Sequence, residues 1–333
     1  MKKNLWAAVA IAAIAGLALS SCSADPLAEE GAAEAGNADA SLTSLKVVVA
    51  PIHFEPAYIA QQEGFFEEQG LEVEIIRGAD PTSNIARVVS GEVDITTGSL
   101  GTLITSAAAG VPVVAIAGNG YTDAEVPTSG ILVLDSSDIQ SPADLAGRTV
   151  GIQGLNTGSE IPMFLAAEDA GIDPLAIERV EIASSGMETA LLEGTIDSVL
   201  ASAPFYGQLM ARDDVRLISN PSTEYMAGSP ITLWTATTQW VEENEESAAA
   251  FVRAMEQAQE FYEDPANVEA VLDITAEVSD IDRGTLTEAA LIPVSVAIDK
   301  KRAGLVADGF SNYGIVSTTV SIDDVLWSGA PTR

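Results

Sequence analysis

Several short stretches of this chain carry groups that could hold a small polar molecule, and none carries the groups that would transform one. His53-Phe54-Glu55 sets an imidazole, an aromatic ring and a carboxylate side by side. Ser99-Leu100 and Ser202 put hydroxyls where apolar runs give way to helix-forming sequence. At such turns the first backbone N–H groups of the helix lack intrahelical acceptors, so a hydroxyl there can cap the helix, face a ligand, or do both. Asn156-Thr157 and Ser159 repeat that chemistry at another helix start, and Asn119 lies beyond the end of an apolar run. Phe54, Tyr121 and Trp234 offer flat faces on which a planar ring could stack. A single histidine with no cysteine partner makes no metal site. No Gly-x-Ser-x-Gly, no phosphate-binding glycine loop and no carboxylate pair with a matching acid–base partner occurs. No catalytic residue, metal or cofactor is expected.

These groups sit on elements that alternate between strand and helix. Apolar runs predict buried strands at 45–50, 71–76, 93–97 and 113–117, separated by helices at 58–69, 84–90 and 100–109. A strand at 130–134 closes this first unit. A second unit follows, with strands at 149–153, 180–182, 198–201 and 215–218 and helices near 159–170, 187–193 and 205–211. The chain returns through a strand at 230–236, an amphipathic helix over 245–262 and further helices that pack on the first unit. Such alternation predicts α/β structure with mostly parallel sheets and right-handed crossovers.

One phrase occurs twice. Ser90-Gly91-Glu92-Val93-Asp94-Ile95 is answered by Glu193-Gly194-Thr195-Ile196-Asp197-Ser198, and Ser99 is answered by Ser202 at the same step. Two similar units predict two similar lobes with a cleft between them. Lobe 1 is read as 45–136 plus 228–333 and lobe 2 as 137–227, joined by two crossings near 135–140 and 225–229. Two crossings make a hinge. Ligands of open α/β sheets collect beyond the carboxyl ends of the strands, which gathers the loops at 51–55 and 154–159, Ser99 and Ser202 around that cleft.

Residues 1–22 read as an export signal. Met1-Lys2-Lys3 is positive, and the apolar stretch from Leu5 to Leu19 is shorter than the roughly 20 residues of a membrane-spanning helix. Leu19-Ser20-Ser21-Cys22 resembles a lipoprotein cleavage site whose cysteine receives lipid; two acyl chains would anchor it stably. Residues 23–44, rich in Ala, Glu, Gly and Asp, read as a flexible acidic tether. The expected location is extracytoplasmic, on the outer face of the cytoplasmic membrane. With 49 acids against 15 bases and a net charge of −34, nucleic acid and anionic lipid surfaces are excluded as partners. Only Arg77, ending the second strand, is a base placed to reach the cleft, so a small anion is less favoured than a neutral, zwitterionic or cationic solute. Screening over about 8 Å weakens that argument. Glu55 could accept hydrogen bonds from an amino-heterocycle.

Pro56-Ala57-Tyr58-Ile59-Ala60, Glu63-Gly64-Phe65-Phe66-Glu67-Glu68-Gln69-Gly70-Leu71, Gly110-Val111-Pro112-Val113-Val114 and Asp144-Leu145-Ala146-Gly147-Arg148-Thr149 occur in order with the repeated phrase. Together they resemble the solute-binding proteins of nitrate, sulfonate, taurine and thiamin-pyrimidine ABC importers. The resemblance covers residues 45–270. It implies a two-lobed type II periplasmic-binding fold, monomeric, closing on a small organic solute that is sulfonate-like, nitrate-like or pyrimidine-like. It also implies delivery of that solute to an ABC permease and ATPase, with Cys22 keeping the receptor near them. A sensor for a membrane signalling partner would need the same closure. A pyrimidine-synthase-like enzyme resembles this fold too. Aligning on Pro56-Ala57-Tyr58, however, puts Phe54 where that enzyme has its loop histidine, and its cysteine cluster has no counterpart here.

Overall fold

The computed structural model describes residues 42–333 apart from 51, 52, 79, 80, 156, 204, 280, 289 and 290. The export signal, Cys22, most of the tether and Asn156 lie outside the described residues. Chain order runs β1 (Thr43–Val49), α1 (Glu55–Gln62), α2 (Phe65–Glu68), β2 (Leu71–Arg77), α3 (Pro81–Val89), β3 (Ile95–Ser99), α4 (Leu100–Ala108) and β4 (Val113–Gly118). Next come β5 (Ser129–Leu134), β6 (Thr149–Ile152), α5 (Ile161–Asp169), β7 (Glu178–Glu181), α6 (Ser184–Leu192), β8 (Ser198–Ser202), α7 (Phe205–Met210), β9 (Val215–Ser219) and α8 (Pro221–Met226). The chain ends with β10 (Thr232–Thr237), α9 (Thr238–Glu243), α10 (Glu245–Glu263), α11 (Val268–Ser279) and α12 (Lys300–Asn312).

These strands form two five-stranded sheets of matching plan, β2-β1-β3-β10-β4 and β7-β6-β8-β5-β9. In each, four strands run parallel and one antiparallel strand is inserted between the third and the edge strand. The inserted strands are exchanged: β10 follows the second crossing and β5 follows the first. The strand at 130–134 therefore belongs to the second sheet, not the first, and the first crossing lies over 119–128, before that strand rather than after it. The physical reason is the absence of a crossover element. A parallel return to the first sheet would need a helix-length connection, whereas a chain leaving β4 can enter the facing sheet directly and antiparallel.

Side chains alternate across each sheet. In β1, Val47 and Val49 face a core with α1, α2, α10 and α11, while Val48 faces another with α3, α4 and α12. The second sheet has its own two cores, around Phe164 on one face and Met187 on the other. The repeated phrase does the same structural work in both lobes. Asp94 Oδ2 accepts from the Lys46 N–H at 2.7 Å and Asp197 Oδ2 from the Thr149 N–H at 2.8 Å. The aspartates' own N–H groups return bonds to Lys46 O and Thr149 O, both at 2.9 Å. Each pair closes the start of its lobe's central strand, at the end away from the cleft.

Two boundaries differ from the sequence reading. The predicted helix at 58–69 is two helices, parted at Gly64, whose φ of 80° no other residue adopts cheaply. Its start moves back to Glu55, because Pro56 has its φ already set for a first turn and an acid there suits the helix dipole. β1 also begins inside the stretch read as tether, at Thr43.

Candidate functional site

The parallel strands β1–β3 and β6–β8 all point their carboxyl ends toward the two crossings. There the crossing segments pair with each other. Thr122 N–H donates to Ser229 O at 2.9 Å, Gly228 N–H to Thr122 O at 2.7 Å and Ile231 N–H to Gly120 O at 2.8 Å. Each predicted serine lies beside one crossing: Ser99 is paired with Thr232 and Ser202 with Ser129. Next to them, Leu100 N–H bonds Ile231 O at 3.1 Å and Ala203 N–H bonds Thr128 O at 2.8 Å.

The serines differ in use. Ser99 Oγ caps α4, accepting from Thr102 N–H at 3.0 Å, and shares a 2.8 Å hydrogen bond with Thr102 Oγ1. The half-buried Ser202 hydroxyl makes no hydrogen bond to a described residue. Thr157 and Ser159 are exposed and bonded to each other at 2.6 Å. Their loop is held from beneath by Glu160, fully buried, which accepts from Thr157 N–H at 3.0 Å and pairs with Arg179 at 2.8 Å. The Thr157-x-x-Glu160 spacing is a capping box, a signal that was legible in the sequence.

Glu55 opens α1 and is 3% exposed, yet its carboxylate makes no hydrogen bond or ion pair with any described residue. Its charge is felt by His53, Tyr58 and Tyr262. Burial holds the His53 pKa below the ordinary value near 6.5, with Glu55 pulling the other way. His53 has φ 65°, the one described non-glycine residue at positive φ, and the Nδ2 of Asn119 donates to its carbonyl at 2.6 Å. The same Nδ2 donates to Thr232 Oγ1 at 3.0 Å. Asn119 thus ties the His53 turn to both strands that begin and end at the crossings. Its Oδ1 is buried with no partner among the described residues, as is the Ser229 hydroxyl in the other crossing.

Three predicted contacts take other roles. Phe54 is 4% exposed and Trp234 fully buried, their rings 5.1 Å apart edge to face, with Phe251 against the indole's other side at 5.2 Å. Both rings belong to the α1–α10 core, because β10 alternation turns Trp234 to that face. Leu100 is likewise a core side chain whose N–H is already bonded. Tyr121 stays half-buried in the first crossing, with the Arg333 guanidinium 5.2 Å from its ring centre. Arg77, expected to reach the cleft, donates instead to Val278 O at the end of α11. Sequence reading missed Leu155 and Ile231, exposed apolar residues at loop and strand ends beside the crossings. It also missed a small cavity at the starts of α6 and α7, lined by Ser184, Glu188, Phe205 and Gln208. Only the helix starts announced these. Among the described residues, no group of three or more His, Cys, Asp and Glu is placed to hold a metal ion. A cavity of about 300 Å³, with Val114, Glu242, Glu245 and Trp327 in its wall, lies at the far end of the first sheet, away from both crossings.

The fold matches that of the periplasmic aliphatic sulphonate binding protein SsuA from Escherichia coli, with a TM-score of 0.72 at 17% identity over 87% of this chain and 99% of that one. A formylaminopyrimidine-binding protein of Halalkalibacterium halodurans is 28% identical over 59% of this chain and 58% of its own length. A 4-amino-5-hydroxymethyl-2-methylpyrimidine phosphate synthase of Legionella pneumophila is 33% identical over 44% of each. The chain thus aligns with less than two thirds of the length of these last two, sequence-matched relatives. Its two exchanged-strand lobes have the periplasmic-binding-protein fold, and with the NMT1/THI5-like family model matching residues 52–268, the chain belongs to the NMT1/THI5-like family.

Proposed function

We propose that this chain is the solute receptor of an ABC importer, held outside the cytoplasmic membrane by lipid on Cys22, and that its solute is a small amino-substituted pyrimidine or similar heterocycle. One observation carries the ligand class: Glu55, 3% exposed as a residue and with no bond to a described residue, stands beside an imidazole whose burial favours its neutral form. A carboxylate with little water around it gains from meeting a donor, and the exocyclic amine of a heterocycle is such a donor. Asn119 Oδ1 is a second unmet acceptor nearby in the chain's fold. Arg77, the base expected to serve an anion in the cleft, donates instead to Val278 O. Names among the relatives favour the same chemistry, since one binds a formylaminopyrimidine.

Solute would enter between the lobes and be enclosed as the paired crossings flex, with Ser99, Thr157, Ser159 and Ser202 supplying hydroxyls from both sides. The test is a thermal-shift panel of aminopyrimidines, sulfonates, nitrate and amino acids. At a hundredfold excess over Kd a true ligand stabilises by about 2.7 kcal/mol, a rise of roughly 5–10 °C. Aminopyrimidines should give that rise. A shift with sulfonates alone would overturn the ligand class. Relatives named as synthases favour a second reading, formation of the pyrimidine from a bound precursor. Mass spectrometry of the purified protein's bound molecule over time separates the two, because a synthase converts a bound precursor to pyrimidine whereas a receptor returns what it holds unchanged.

A further inference from the structure

The C-terminal helix α12 lies outside the family match and packs on both lobes. Its Ala303, Val306, Ala307 and Phe310 are buried in the α4-side core of lobe 1. That core also contains Ile161, the fully buried first residue of α5 in lobe 2. Helix α12 meets Ile161 at Gly309, where an added Cβ would lie 2.9 Å from Ile161 Cγ2. Phe310 then reaches the two loops that carry candidate ligand hydroxyls. A Cβ built on Gly101, just after Ser99 and Leu100, would stand 3.0 Å from Phe310 Cζ and 3.7 Å from the Gly158 nitrogen. One built on Gly158, between Thr157 and Ser159, would stand 3.1 Å from Phe310 Cε2 and 3.8 Å from Gly101 Cα. Neither glycine is at positive φ, so a side chain there is opposed by the Phe310 ring, which would have to give by a few tenths of an ångström, and not by backbone conformation.

We propose that Phe310 is a positioning residue for solute binding. Its ring, seated against Gly101 of one lobe and Gly158 of the other, sets how closely the two ligand loops approach and so fixes the closed geometry of the cleft. Phe310 acts through those glycines and does not touch solute. The proposal rests on the receptor reading only in that the cleft binds a solute. Interiors are packed too densely to absorb a methyl group at such contacts without movement. The movement easiest to make is rotation at the paired crossings.

The purified full chain and the variants Gly158→Val, Gly158→Ala and Gly158→Val with Phe310→Ala test this with two readouts. Titration with 4-amino-5-hydroxymethyl-2-methylpyrimidine should show affinity at least tenfold weaker in Gly158→Val, a smaller loss in Gly158→Ala, and recovery to within threefold in the double variant. Amide hydrogen exchange at 101 and 158 reads the contact without solute: it should be faster in Gly158→Val than in the wild type and return toward the wild-type rate in the double variant. Melting temperatures confirm that each variant is folded, and Gly158→Ala serves if the valine variant is not. Unchanged exchange at both glycines, or weakened binding that Phe310→Ala fails to restore, would overturn the proposal. If the wild type itself ignores the pyrimidine, the ligand class fails, and amide exchange alone decides the role of Phe310.

Discussion

Replacing Glu55 by Gln should move stability and affinity in opposite directions. As a residue Glu55 is 3% exposed, and its carboxylate has no bond to a described residue, so in the unliganded protein it is a poorly hydrated acceptor that costs about 1–2 kcal/mol. Glu55 also stands in the first turn of α1, where its charge interacts with the helix dipole for about 0.3–1 kcal/mol in its favour. The desolvation cost is the larger, so Glu55→Gln should raise the melting temperature of the unliganded chain. The rise should be about 2–4 °C for each kcal/mol gained. Binding of an aminopyrimidine should weaken, since a hydrogen bond to a charged acceptor contributes about 1.5–3 kcal/mol, or roughly tenfold to a hundredfold in Kd. Glu55→Met, which removes the acceptor altogether, should sit at the upper end. Differential scanning fluorimetry and isothermal titration calorimetry measure the two quantities on the same samples. A lower melting temperature with unchanged affinity would refute the reasoning, because it would mean the carboxylate serves the fold and not a solute.

Three further outcomes follow from the same geometry. His53 is the chain's one histidine and its pKa is lowered by burial, so the unfolded chain takes up that proton first; its stabilisation is complete above about pH 6.5 and declines as pH falls below. His53→Asn, which tolerates positive φ, should flatten the melting-temperature slope between about pH 5 and 6.5, and an unchanged slope would contradict the burial argument. Asp94→Ala and Asp197→Ala should each cost about 1–2 kcal/mol, with the double variant near their sum because the sites lie in different lobes; chemical denaturation measures both, and a loss confined to one would break the equivalence. Glu160→Ala leaves Arg179 partly buried without its partner and frees the Thr157 loop, so pyrimidine affinity and stability should fall together, whereas stability alone falling would remove that loop from the site.

Much of the fold could be read in advance because its signals are local. Apolar runs placed all ten strands within a few residues, glycines ended helices, and the repeated Ser-Gly-Glu-Val-Asp phrase announced two units of one plan. The phrase itself proved to be a strand-closing device built on Asp94 and Asp197, not a ligand motif. What failed was non-local. An apolar run at 129–134 shows that a strand is buried, not which sheet buries it. Phe54 and Trp234 look alike in sequence whether they line a cleft or pack on Phe251, since β10's facing is set by partners distant in the chain. Arg77 finds its acceptor on α11, some two hundred residues on. Phe310 had no motif at all, and only its packing against Gly101 and Gly158 shows what it does.

The most direct measurement is a crystal structure of the chain with 4-amino-5-hydroxymethyl-2-methylpyrimidine. The account predicts the ring enclosed between the lobes, its exocyclic amine on the Glu55 carboxylate and hydroxyls of both lobes within hydrogen-bonding reach. A pyrimidine found outside that cleft, or one enclosed there with its amine turned away from Glu55, would contradict it.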